Sequence, residues 1–385
     1  MGRIALVLIA AVVLVAPHAS AKRGPLVPTQ LLGFVEHGKK LSVVKLDAAT
    51  LAPLSKAVPS GASDASYVAR SPGRGARIAF STDGTALRFL DRTKMRWDGR
   101  VDYRGIPTAA RWTFANRLVT LAETRVVVVD PTTARTRSTR SLGGSLAASS
   151  TAGDDIVAVI APLDGIGPTK LAVIDELGRV RMTALPQIVA GSERSSGERF
   201  EWPALAVDPS ATRAAVISAQ GTIVDVRLDT LAISVHAVRT LASVRKQANG
   251  SWRTARWTES GTIAFSGQDS TFDGTVERVT PAGLKLIDTR DWSIRSVDAE
   301  TDNLSYDVLG DVLVAYGGNG IARYASDGTQ SFRLFAGTNM RPTFAAGTYL
   351  YYGRRIATSF TIVDSFAGRV VNTVSTSRPT LLAAF

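Results

Sequence analysis

The chain has 385 residues, 45% of them apolar and 20% charged, with 33 glycines, 16 prolines and no cysteine. That composition excludes a collagen-like or wholly disordered chain. The missing cysteines exclude a disulfide scaffold, thiol catalysis, cysteine-ligated zinc and a lipidated cysteine anchor. A net charge of +12 says nothing about fold; it favours acidic partners or reports an arginine-rich surface that keeps the chain soluble.

In chain order, the first element is a leader. Arg3 gives a positive start, residues 4–16 are an apolar run, Pro17 and His18 end it, and Ala19-Ser20-Ala21 has the small-x-small form of a signal peptidase site. As a helix such a run reaches only about 20 Å, short of a ~30 Å hydrocarbon core, which makes a retained anchor the weaker reading. Cleavage after Ala21 is expected, leaving one domain, 22–385, in a secreted or extracytoplasmic location. No later stretch approaches 18 apolar residues, so no membrane span is expected after the leader is removed. Without Arg3 the chain keeps 44 basic against 33 acidic residues, a net +11, and arginine outnumbers lysine 35 to 9.

From there the chain reads as strands. Hairpin patterns cover 41–58, 87–101, 126–142, 171–185, 222–238, 275–297, 321–335 and 360–374. Their turns carry Asp47, Asp130-Pro131, Asp327-Gly328 and Ala367-Gly368, residues suited to tight reversal. Before each of the last seven hairpins comes a short strand, a turn and an apolar strand, as in VARSPGRGARIAF, AARWTFANRLVTL and TARWTESGTIAFS. Four strands per unit at a period of about 40–50 residues is the signature of a β-propeller. The expected fold is therefore all-β, with four-stranded antiparallel blades. The count is eight, or seven if two irregular units merge, and the unit over 251–302 is ambiguous between a second hairpin at 275–288 and one at 284–297. The first hairpin has one strand before it and lacks an innermost one. Residues 380–385 are an apolar strand without a blade, and pairing them with the first blade would close the ring.

The repeated hydrophobic-Asp-x-x-Thr/Gly-hydrophobic hairpins resemble secreted bacterial propellers of the YVTN and TolB-like kind. These belong to the wider tryptophan-aspartate-repeat superfamily, although that dipeptide does not recur in the units here. The resemblance covers nearly the whole mature chain. It implies binding, scaffolding or, in some members, catalysis in the central channel. It carries over no catalytic residues, because its motifs encode hairpin geometry. Residues 46–54 also resemble part of the docking repeat of eight-bladed quinone-dependent dehydrogenases, whose completing glycine and tryptophan are absent.

Signals for chemistry are few. The mature chain has two histidines, His37 and His236, each near or within a predicted outer strand, and it lacks Gly-x-Ser-x-Gly, the P-loop and the dinucleotide-binding glycines. Stretches 268–274 and 298–303 carry carboxylates of the calcium-ligating type without the alternating Asp-x-Asp-x-Asp-Gly order, so turn hydrogen bonding is the simpler reading. No catalytic residue, metal site or cofactor is assigned. Trp112 and Trp257 end equivalent innermost strands and read as packing between blades.

Loop length is more informative. In a propeller, connections from strand two to three, and from strand four to the next strand one, emerge on one face. The longest insertions, 186–202, 239–252, 161–169 and 267–274, are all of these types and belong to blades four to six. Long loops on a rigid scaffold are where function tends to sit. Candidate ligand-binding residues there are Arg194, Arg199, Phe200, Trp202, Arg245, Lys246, Trp252, Asp269, Phe272 and Asp273. A second candidate is a partial cationic ring of Arg70, Arg111 and Arg256 at innermost-strand ends on the opposite face; the competing reading pairs each with a neighbouring blade's aspartate. The function expected is a monomeric binding or scaffold module for a protein or an anionic polysaccharide of the envelope, with nothing favouring nucleic acid. The alternative is a lyase or hydrolase with its active site in the channel.

Overall fold

A computed structural model describes residues 26–72, 76–163, 165, 167–193, 199–238, 241, 250–272, 277–307 and 312–384; the predicted leader lies outside these. The strand Arg125–Asp130 illustrates how the fold arises. Successive side chains of a strand point to opposite faces, so its four consecutive valines bury both. Val127 and Val129 pack with Phe89 of the preceding sheet, while Val126 and Val128 pack with Ile156 and Ile174 of the next.

Ala65–Arg70, Arg77–Thr82, Ala86–Asp91 and Arg96–Asp102 pair antiparallel in chain order. The same meander recurs in blades that begin at Ala109–Trp112, Gly144–Ala152, Ala204–Val207, Gly250–Trp257, Thr301–Asp307 and Phe344–Ala346. The first blade holds Gln30–His37, Lys40–Asp47 and Val58–Pro59. Eight apolar clusters alternate with these eight blades, one at each junction.

The C-terminal strand closes the ring, with one difference from expectation. Arg369–Ala384 is a single 16-residue strand. Its first half is the outer strand of blade eight, against Ala357–Asp364, and its end is the innermost strand of blade one, with Phe34 opposite Leu381 and Val35 opposite Thr380. Leu381 packs between blades one and two and Leu382 between blades eight and one, so the strand ties three blades together.

The recurring aspartate is a turn device. Asp47, Asp91 and Asp130 each accept the backbone N–H groups two and three residues on. Four residues after each, Leu51, Met95 and Ala134 take a left-handed φ that lets the strand turn back. Blade six settles the ambiguous unit: its outer hairpin is Leu284–Asp288 with Ile294–Asp298, while Glu277–Pro281 pairs with the far end of the 11-residue strand Thr262–Phe272.

Candidate ligand-binding face

Three of the long insertions on blades four to six, 186–202, 239–252 and 267–274, contribute strands to one sheet. Gly191–Glu193 and Arg199–Trp202 form an antiparallel hairpin. Arg199–Trp202 then runs parallel to the start of Gly250–Trp257, with Phe200 beside Gly250, Glu201 beside Ser251 and Trp202 beside Trp252. The pairing is parallel because both segments lead inward to the innermost strand of their blade, so both travel the same way. On its other side Gly250–Trp257 pairs with Thr262–Phe272, and that strand's end pairs with Glu277–Pro281. The result is an extension of blade six that is five strands wide.

Buried polar groups fix this extension to the ring. The Glu201 carboxylate is buried and accepts the Ala219 N–H at 2.8 Å and the Gln220 amide at 3.4 Å, capping the strand-two-to-three turn of blade five. Asp269 accepts Arg253 Nη2 at 2.7 Å and Ser251 Oγ at 2.8 Å, and Arg253 Nη1 donates to the Trp252 and Gln268 carbonyls. This ion pair is nearly dry, with side-chain exposures of 1% for Arg253 and 9% for Asp269. Gly267, at φ 150°, makes room for it: a Cβ there would stand 2.1 Å from the Trp252 carbonyl oxygen. Burial, reinforced by the Arg253 charge, holds the neighbouring Lys285 below the usual lysine range.

A second pair lies at the same mouth. Arg341 Nη2 meets Asp302 Oδ2 at 2.5 Å and Gln268 Oε1 at 3.3 Å. Burial pushes the Asp302 carboxyl up despite Arg341. Sequence reasoning missed Arg253 and Arg341, and weighed Asp302 only within the carboxylate stretch 298–303; each pair joins residues whose proximity depends on strand register or on neighbouring blades, and no local motif marks it.

The predicted site residues separate as follows. Trp202 and Trp252 are register neighbours, both half-buried. Asp269 is turned into the buried pair with Arg253. Arg199 and Phe200 stand opposite Glu193 and Ser192, and Phe272 opposite Glu277, with the backbone alone described. Arg194, Arg245, Lys246 and Asp273 lie outside the described residues. On the opposite face, Arg111 reaches Asp154 of the next blade at 3.4 Å. Arg70 lies where its charge, after burial, lowers the Arg92 pKa. Arg256 is exposed and has no ion-pair partner among the described residues. These three arginines therefore have different neighbours.

Among the described residues no three His, Cys, Asp or Glu side chains are grouped to hold a metal ion. Asp298 is held by Arg333 at 2.6 Å and Tyr324 at 2.7 Å. His236 stacks on Trp292 at 4.4 Å, and His37 contacts Arg378. Trp112 packs edge-on against Phe89 at 5.8 Å between blades two and three, and Trp257 lies under Arg213 between blades five and six. A cavity of about 320 Å³ opens on the channel side of blades four to seven, where Ser149, Ser150, Leu205, Thr254, Arg256 and Leu304 line it with Arg253.

No family model matches this sequence, and no curated protein does either. Solved structures do. The dihydro-heme d1 dehydrogenase NirN, solved in complex with DHE, superposes with a TM-score of 0.60 at 12% identity over 94% of this chain and 77% of its own. BamB from Moraxella catarrhalis gives 0.55 at 12% identity, covering 81% of this chain and 90% of BamB. The chain is a β-propeller. Apo AztD from Citrobacter koseri agrees, with a TM-score of 0.53 at 13% identity over 93% of this propeller and 98% of AztD. At such identity the likeness concerns the fold alone. No helix among the described residues is long and apolar enough to cross a membrane.

Proposed function

We propose that this propeller is an exported binding or scaffold module, and that the loop face of blades four to six engages a protein or an anionic envelope polymer. The observation that carries the reading is the parallel pairing of Arg199–Trp202 with the start of Gly250–Trp257, which unites separate insertions in one sheet and sets Trp202 beside Trp252. Amphipathic aromatics held on a rigid support suit such partners. The Glu201 cap and the Arg253–Asp269 pair supply the support. The described wall of the channel cavity presents hydroxyl, guanidinium and aliphatic groups and no carboxylate or imidazole, which favours binding over acid–base chemistry.

The test uses the mature protein on fractionated envelope. Replacing Arg194, Arg199, Arg245 and Lys246 together by Ala should slow association and flatten the salt dependence, because exposed charges are screened over about 8 Å at physiological salt. Trp202→Ala with Trp252→Ala should speed dissociation. A control variant of Arg70, Arg111 and Arg256 should bind normally. Loss in the control alone moves the site to the other face; binding unchanged in every variant ends the proposal. Export is checked by mass spectrometry of the native protein, which should begin at Lys22.

A further inference from the structure

We propose that the channel cavity of blades four to seven is a separate binding site for a small organic anion, with a carboxylate or phosphate head and an apolar body. The wall comes from four successive innermost strands, Gly144–Ala152, Ala204–Val207, Gly250–Trp257 and Thr301–Asp307, with Leu313 of the next strand, Val312–Gly317. None of the described residues that line it is a carboxylate. Arg256 brings an exposed guanidinium with no acidic partner among the described residues. Its planar fork matches a carboxylate or phosphate edge with two parallel hydrogen bonds.

The remaining polar groups are donors that the protein leaves unused. The hydroxyls of Ser149, Ser150 and Thr254 have no protein partner among the described residues. Arg253 also lines the cavity. Its two terminal nitrogens are engaged by Asp269 and by carbonyls, yet its Nε is buried without an acceptor in a residue only 7% exposed. Buried donors left unpaired are uncommon and costly, which marks this part of the wall as unusual. Residues 253–256 pair on one side only, with 264–267, so their other edge faces the channel with its own N–H groups. Leu205, Leu304 and Leu313 supply the apolar part of the wall. At about 320 Å³ the space falls at the small end of ordinary ligand sites.

The experiment is calorimetric titration of the full mature protein at constant ionic strength with inorganic phosphate, acetate and hexanoate. Saturable binding of phosphate or hexanoate is expected. Phosphate against hexanoate identifies the head group, and hexanoate tighter than acetate reports the leucine wall. Arg256→Gln should weaken binding about tenfold, equivalent to about 1.4 kcal/mol. Ser149→Ala with Ser150→Ala should weaken it severalfold, and Trp202→Ala with Trp252→Ala should leave it unchanged, which separates this site from the loop face. If Arg256→Gln melts early, Thr254→Val and Ser150→Ala probe the same wall without removing charge. Absence of saturable binding by all three anions, or wild-type affinity in every cavity variant, overturns the proposal.

Discussion

Removing residues 380–385 should open the ring, and the structure sets the size of the effect. Leu381 and Leu382 are each 7% exposed and enter different clusters, between blades one and two and between blades eight and one. Burying such a side chain contributes about 1.5–3 kcal/mol, so the two together contribute about 3–6 kcal/mol before ladder hydrogen bonds are counted. An unfolding entropy of about 2.1 cal/mol/K per residue gives a domain of about 360 residues roughly 0.75 kcal/mol/K, so the truncated protein should melt at least about 4–8 °C lower. It should also aggregate, because Gln30–His37 is left with an unpaired inner edge. Leu381→Ala and Leu382→Ala should each lower Tm by about 3–7 °C, from the usual 2–5 kcal/mol for such truncations, and their effects should add because they empty different clusters. Differential scanning calorimetry with light scattering reads both quantities. A truncated protein that melts within about a degree of the full chain and stays monodisperse would refute closure by this strand.

Two further outcomes test the supports of the binding face and the turns. Asp269→Ala leaves the Arg253 charge buried without its carboxylate and should destabilise by about 3–5 kcal/mol, whereas Arg253→Ala, after which Asp269 keeps Ser251 and the Lys285 charge, and Arg253→Met with Asp269→Leu should each lose less. Thermal melts of the three variants decide this, and equal losses in all of them would show that the pair is not the source. The acid limb of stability is the second. The Arg137 hydrogen bond holds Asp130 at about 2, and the Arg290 hydrogen bond does the same for Asp288. For Asp298, burial pushes upward but Arg333 and Tyr324 outweigh it and bring the group to about 2. These folded values lie below the ordinary unfolded value of about 3.9, so their stabilisation is complete above about pH 4 and is lost as pH falls towards 2. Asp302, pushed up by burial, acts in the opposite sense and offsets a small part. Near-UV circular dichroism between pH 5 and 2 should show the loss, with a shallower slope for Asp298→Asn; an unchanged slope would remove the Asp298 network from the explanation.

Much of the molecule is legible in its sequence because the relevant physics is local. Alternating apolar runs such as 126–129 specify a strand buried on both faces, and Asp at 47, 91 and 130 specifies the turn through hydrogen bonds two and three residues away. Connection types follow from counting strands, so which strands each long insertion joins was readable too. Tertiary structure alone decided what those insertions do. Trp202 meets Trp252 only because the whole of blade five lies between them and returns the chain to the same face in the same direction. The same holds for Asp302 with Arg341, and for Ser149 and Ser150 with Arg256 across the channel. Contacts between elements so far apart in the chain carry no periodicity or spacing of their own; they exist because eight packed junctions, closed by one C-terminal strand, hold the ring at a single curvature.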